Sequence, residues 1–177
     1  MKPFKSVMIV KYPLDLVWLT IRDRLPELVP LLDDVKQITV LERVEQADGR
    51  VHMVNLWQAK PQLPAFLASE IKPEMMAWTD RADWQPASYE CHWRIEPKFL
   101  PELTACSGLT SYQPAMGGRG TRITFEGALD LNARNLSSVP SLVGDTLLKG
   151  VEAFATSLIP KNFRKLTEAA SRFLDEA

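Results

Sequence analysis

Cysteine and histidine are scarce: two of each in 177 residues, with a formal charge of −1. Two cysteines are too few for a disulfide framework, and a reducing compartment is the default reading. The same scarcity argues against a zinc site, which needs three or four convergent Cys, His or carboxylate ligands at recognisable spacing. With 21 basic and 22 acidic residues interspersed, the chain lacks the basic face of a nucleic-acid binder. The apolar run near the N-terminus, Val7 to Val10, is four residues long, against ~7–15 for a secretory signal. No later run approaches the ~20 apolar residues that cross a bilayer. The expectation is a cytoplasmic protein with no cofactor, no metal and no nucleic-acid partner. Catalytic signatures are missing as well. There is no Gly-x-Ser-x-Gly and no Ser-His-Asp arrangement. "PAMGGRGT" lacks the Gly-Lys-Ser/Thr of a phosphate loop and reads as a hairpin turn.

What is present is a periodic pattern without internal repeats or linker-like stretches, on a length that fits one domain, 1–177. Residues 5–11 read as a first strand. In "YPLDLVWLTIRDRLPELVPLL", Leu14, Val17, Trp18 and Ile21 follow helical spacing, and Pro26 and Pro30 divide the run into two short helices. From Val35 the period drops to two, with Ile38, Val40 and Val44 alternating against polar neighbours. "QADGR" supplies a turn, and strands follow in "VHMVNLWQAK", "EMMAWTDRADW", "SYECHWRIE", "LTACSGLTSYQ" and "TRITFEGALDL". After Asn135 an apolar stripe through Leu147, Val151, Phe154, Leu158 and Ile159 predicts a long helix, kinked or broken near 156–160 by Pro160. One strand, two short helices, about six antiparallel strands and a long C-terminal helix make an α+β domain.

That order resembles the helix-grip fold of the START-like superfamily, also called the SRPBCC or polyketide cyclase/dehydrase-like group. "YPLDLVWLTIRD", with Trp18 and Asp23, and "GVEAFATSLIPKNFRKLTEAASRFL" carry the resemblance. It implies a curved sheet wrapped around the C-terminal helix with a cavity between them. The fold hosts carriers, cyclases, hydrolases and chaperone-binding modules, so it does not by itself choose among them. "FKSVMIVKYPLDLVW", "AKPQLPAFL", "AWTDRADWQPASYECHW" and "LTACSGLTSY" are also similar, in order, to PRELI-like lipid transfer proteins. That narrower resemblance implies a lid loop at 60–68.

Cys91 beside His92 invites a thiolate–imidazole pair. On a strand, however, Tyr89, Cys91, Trp93 and Ile95 share one face and His92 the other, so the two cannot meet. His52 lies on a strand with apolar residues on both faces, which leaves its direction open. Asp33–Asp34 reads as a turn, and Asp80/Asp83 as a carboxylate pair without a partner motif. If Thr110 pairs with Phe125, Gly108 lies opposite Gly127, and the missing side chains either admit the helix or leave a void. The expected cavity wall is Trp57, Trp78, Tyr89, Cys91, Trp93, Tyr112, Phe125, Phe154 and Leu158, with Leu63, Phe66 and Leu67 as a lid. An ordinary packed core would use the same residues.

Three functions fit. The first is a carrier of a lipid or other hydrophobic small molecule, whose apolar loop would also permit transient membrane contact. The second is a cyclase or dehydratase acting on a hydrophobic or aromatic substrate, with Tyr89, Tyr112 and His52 as acid/base candidates. The third is an interaction module with a filled interior and no ligand. The missing catalytic signatures favour the carrier.

Overall fold

A computed structural model describes residues 2–60, 75–98, 101, 104–131 and 159–177. The chain opens with β1 (Lys2–Val10), α1 (Leu14–Asp23) and a 3-10 segment (Leu25–Leu31). Six strands follow: β2 (Val35–Glu45), β3 (Val51–Ala59), β4 (Ala77–Gln85), β5 (Glu90–Pro97), β6 (Thr104–Ala115) and β7 (Gly120–Leu131). The described part of the C-terminal helix, α2, runs over 159–175.

Helix α1 forms where the period is 3.6. Val17, Trp18 and Ile21 are buried on one face, and Asp15 and Arg22 sit at the ends where the helix dipole favours them. Pro26 lies in the first turn of the next segment and Pro30 inside it. Each removes a backbone donor, and the segment is a 3-10 helix rather than a second α-helix.

The strands form one antiparallel sheet in the order β1-β7-β6-β5-β4-β3-β2. Its inner face packs against α1, the 3-10 segment and α2. Val17, Trp18, Ile21, Leu25 and Leu28 meet Met53, Trp84, Cys91 and Tyr112 in one core cluster that also takes in Leu166, Ala170 and Leu174. A second cluster joins Trp93, Cys106, Phe125 and Leu129 to Ile159 and Phe163. Polar contacts tie α2 down along its length. Lys165 Nζ lies 3.1 Å from Asp34 Oδ2, the Arg24 guanidinium sits 4.6 Å over the Phe173 ring, and the Tyr12 hydroxyl donates to Asp175.

The register posed as a condition is the one found: Thr110 pairs with Phe125, and Gly108 with Gly127. The consequence differs from the expectation. A Cβ on Gly108 would come within 2.4 Å of the Trp93 ring, and one on Gly127 within 2.6 Å. The Trp93 indole occupies the room these glycines leave, so they seat an aromatic ring rather than the helix or a void.

Two strand expectations need correction. Ile38 is buried, but Val40 and Val44 are exposed. A register shift between Val40 and Glu42 turns the later part of β2 over, and Val44 pairs with His52 on the outer face. Tyr89 is not a strand residue. It ends a turn over 86–89 with φ +52°, a left-handed conformation that is uncommon for a bulky side chain. Residues 156–158 of the expected break, the lid residues Leu63, Phe66 and Leu67, and the wall residues Phe154 and Leu158 lie outside the described residues, while Ile159 and Pro160 are helical.

Candidate functional site on the inner face

Strand alternation decides which side chains the inner face presents. Along β3 these are Val51, Met53, Asn55 and Trp57. Their partners on β4 are Trp84, Ala82, Asp80 and Trp78, respectively. The wall continues through Cys91, Trp93 and Ile95 on β5, then Cys106, Thr110 and Tyr112 on β6, then Ile123, Phe125 and Leu129 on β7. In this apolar array Asn55 and Asp80 form one cross-strand polar pair.

Asn55 is 2 % exposed, and its Nδ2 donates to Asp80 Oδ2 at 3.4 Å. Its Oδ1 is buried and has no hydrogen-bond partner among the described residues. Burial pushes the Asp80 carboxyl up to about 6, with the Asn55 amide and the Trp57 indole pulling in the opposite direction. Trp57 Nε1 reaches toward Asp80 without closing a hydrogen bond, and Trp84 Nε1 is likewise buried without an acceptor among the described residues. Unpaired buried polar atoms cost about 1–3 kcal/mol each, so their accumulation on one wall needs a reason.

The aromatic residues of the expected wall fall into three groups. Trp57 and Trp78 stack at 5.5 Å beside the Asn55–Asp80 pair. Trp84, Tyr89 and Tyr112 each meet Trp18 edge to face, at 4.9, 5.3 and 5.1 Å. Trp93, Phe125 and Phe163 form a stack from sheet to α2, with centroids 4.8 and 4.0 Å apart. Trp93 Nε1 is satisfied by Thr110 Oγ1 at 3.1 Å. All three groups pack in the core clusters. The first borders Asn55 Oδ1 and carries the unpaired Trp57 Nε1, and Trp84 of the second carries the other unpaired indole N–H.

Cys91 and His92 point to opposite faces. Cys91 is buried and free, and desolvation first, then the Asp80 and Asp83 charges, pushes its thiol well above the ordinary range. Burial alone pushes Cys106 up to about 12. Both thiols stay protonated and unreactive. His92 is on the outer face near Glu90, at 3.8 Å. His52 is also outside, with Nδ1 2.6 Å from Asp83 Oδ1. The Tyr89 hydroxyl donates to Asp15 at 2.5 Å. Burial, followed by Cys91 and Asp80, holds the Tyr112 phenol well above its usual range. None of the three acid/base candidates therefore faces the inner wall with a proton that moves near neutrality. An open depression of about 820 Å³ behind Gly108 and Gly127 is lined largely by outer-parity residues, including Lys5, His92, Leu109 and Glu126. Of the expected wall it contains only Trp93.

Asn55 and Asp80 are absent from the expected wall, although alternation carried through "AWTDRADW" points to the second of them. Every second residue there gives Trp78, Asp80, Ala82 and Trp84, with one acid on the apolar parity.

No family model and no curated protein matches the sequence. Solved structures do. The chain is similar to the TTHA0849 protein of Thermus thermophilus (TM-score 0.62, 17 % identity, covering 95 % of this chain and 96 % of that one). It is also similar to the Zhui aromatase/cyclase of Streptomyces sp. R1128 (TM-score 0.60, 18 % identity, covering 97 % and 95 %). Norcoclaurine synthase of Thalictrum flavum aligns with a TM-score of 0.61 at 12 % identity, covering 99 % and 87 %. Identities this low speak to fold alone. The chain has the curved-sheet, helix-grip α+β fold of these solved structures.

Proposed function

We propose that the chain is a cytoplasmic protein that binds a hydrophobic small molecule against the inner face of its sheet, between the sheet and the C-terminal helix. The observation that carries this reading is the unpaired Asn55 Oδ1 two residues from the unpaired Trp57 indole N–H on a largely apolar wall. Ligand sites of this kind are apolar surfaces with a few placed polar groups. The solved structures of similar fold include proteins named for chemistry on small organic molecules, which agrees with such a site. Among the described residues no helix is long and apolar enough to cross a membrane, and both cysteines are free. Trp57 and Trp78 form the flat wall, and the Trp93, Phe125 and Tyr112 groups set its limits. Native mass spectrometry of freshly purified protein tests the reading. A retained small molecule, or uptake of a fluorescent fatty acid or phospholipid probe, is the expected result. Absence of both, with the protein folded, would rule it out.

A cyclase or dehydratase reading is favoured by one observation, the Asp80 carboxyl at about 6 on the same wall. A group titrating there can accept and return a proton near neutrality, which such chemistry requires. Under this reading Asp80 replaces Tyr89, Tyr112 and His52 as the acid/base residue. Turnover of a bound substrate that survives in Asp80→Asn would end it.

A further inference from the structure

The outer face of the sheet carries a surface that binding on the inner face does not use. Val7 and Ile9 on β1 keep 42 % and 52 % of their exposure, and Met116, in the turn between β6 and β7, keeps 46 %. Strand register brings them together. Ile9 pairs with Arg122 and Val7 with Thr124, all on the outer parity. Met116 folds back over Gly120, where an added Cβ would lie 2.9 Å from its Sδ and 3.1 Å from the Val10 carbonyl oxygen. Its side chain therefore sits beside the end of β1. Met116 holds this place in a left-handed conformation, φ +53°, followed by two left-handed glycines, and it belongs to neither core cluster. Packing does not explain an exposed methionine held by uncommon backbone. Three exposed cations accompany it: Lys11 just past β1, Arg119 in the turn and Arg122 on β7. Among the described residues none of the three has an ion pair, and Arg119 Nε reaches only the Met116 carbonyl, at 3.4 Å. The chain has no acidic residue over 1–14 or 103–125. Of the acids that approach, Glu126 is paired with Lys5 at 3.2 Å and Asp175 accepts from the Tyr12 hydroxyl. On a chain of net charge −1, this corner is a local concentration of positive charge.

We propose that this corner, the end of β1 with the β6–β7 turn, docks on an anionic lipid surface. The proposal goes beyond small-molecule binding on the inner face and does not rest on it. Val7, Ile9 and Met116 enter the boundary between headgroups and acyl chains, and Lys11, Arg119 and Arg122 meet the lipid phosphates. Long basic side chains suit this arrangement, because their apolar stems follow the apolar patch while the charged ends stay among the headgroups. A second copy of the chain fits poorly, since a symmetric contact would set these cations against their own equivalents. A nucleic acid would pair with the cations through its phosphates and leave the three apolar side chains without a partner. Each cation near an anionic membrane contributes about fivefold in affinity, so three of them with a small apolar tip give reversible, salt-sensitive binding.

The test is co-sedimentation of the full chain with vesicles of phosphatidylcholine alone and of phosphatidylcholine with phosphatidylserine. Wild type is expected to bind the phosphatidylserine vesicles more than about tenfold more tightly at low salt, and to lose that preference near about 1 M salt. Arg119→Gln combined with Arg122→Gln is expected to weaken binding about twenty-fivefold, two cations at about fivefold each. Met116→Cys carrying an environment-sensitive dye gives a second reading that does not depend on the double variant folding. Cys91 and Cys106 are buried and stay unlabelled. The dye emission is expected to shift to the blue with phosphatidylserine vesicles only. Absence of binding to both vesicles, or equal binding to the two, overturns the proposal. Binding that the double variant retains in full overturns it as well, because docking then runs through another surface, and so does a dye that does not shift. Retention on immobilised single-stranded RNA without vesicle binding would replace it with a nucleic-acid surface.

Discussion

Asp80 makes the most direct statement at the scale of single residues. Its folded pKa is raised from 3.8 to about 6, mainly by desolvation, so the folded state holds the proton more tightly than the unfolded chain. The stability this contributes is full below about 4 and is lost as pH rises through about 6. That rise corresponds to an upper bound of about 3 kcal/mol lost at pH 7.5. Asp80→Asn, neutral at every pH, is therefore expected to be more stable than wild type at pH 7.5 in urea titrations. Its advantage should shrink by roughly half at about pH 5. An equal difference at both pH values would show that the carboxyl is not desolvated. Gly108→Ala probes the seat of Trp93. The new Cβ would lie 2.2 Å from the Glu126 carbonyl oxygen and 2.4 Å from the indole. A loss of about 1–3 kcal/mol or more is expected from such overpacking, with the Phe125 and Phe163 contacts disturbed along with it. At this scale the sequence was legible where alternation was followed through. The opposition of Gly108 and Gly127 and the separation of Cys91 from His92 came from counting alone. The Trp93 ring over the glycines could not, because a ring's reach across two strands is a rotamer choice that spacing does not encode.

Elements were easier to read than their irregularities. Period and proline placement located β1, α1, the 3-10 segment and the following strands to within a few residues. What they hid was the register shift in β2 after Val40, beyond which Val44 kept a strand-like alternation while the backbone turned its side chain outward. Tyr89 was hidden in the same way, since a left-handed turn residue just before a strand continues its parity on paper. Helix α2 is held by two kinds of contact, and their sizes should differ on mutation. Leu166 is 8 % exposed in the main core, and Leu166→Ala is expected to cost about 2–5 kcal/mol by cavity formation. Lys165→Ala removes the ion pair with Asp34, whose side chains keep 32 % and 25 % of their exposure, and is expected to cost no more than about 1 kcal/mol. Paired thermal and urea melts of the two variants check the ordering. A larger loss from Lys165→Ala would mean that α2 is held by charge rather than by its apolar stripe.

For the whole molecule, the fold followed from element order, and the resemblance to the START-like group agrees with the solved structures of similar shape. The ligand wall was legible as an apolar surface and not as a site, because a packed core and a pocket draw on the same residues. Three aromatic groups divide that surface, and all of them pack within the two core clusters. Trp57 with Trp78 stands beside the Asn55–Asp80 pair, where the proposed ligand would meet both a flat wall and polar atoms. The five tryptophan indole N–H groups supply reporters for this division. A proton–nitrogen correlation spectrum recorded with and without the fatty acid or phospholipid probe tests it directly. The Trp57 and Trp84 indole signals are expected to move, while that of Trp93, already bonded to Thr110, stays in place. Shifts confined to outer-face residues such as Leu109 and Glu126, with the Trp57 and Trp84 signals unmoved, would contradict binding on the inner face.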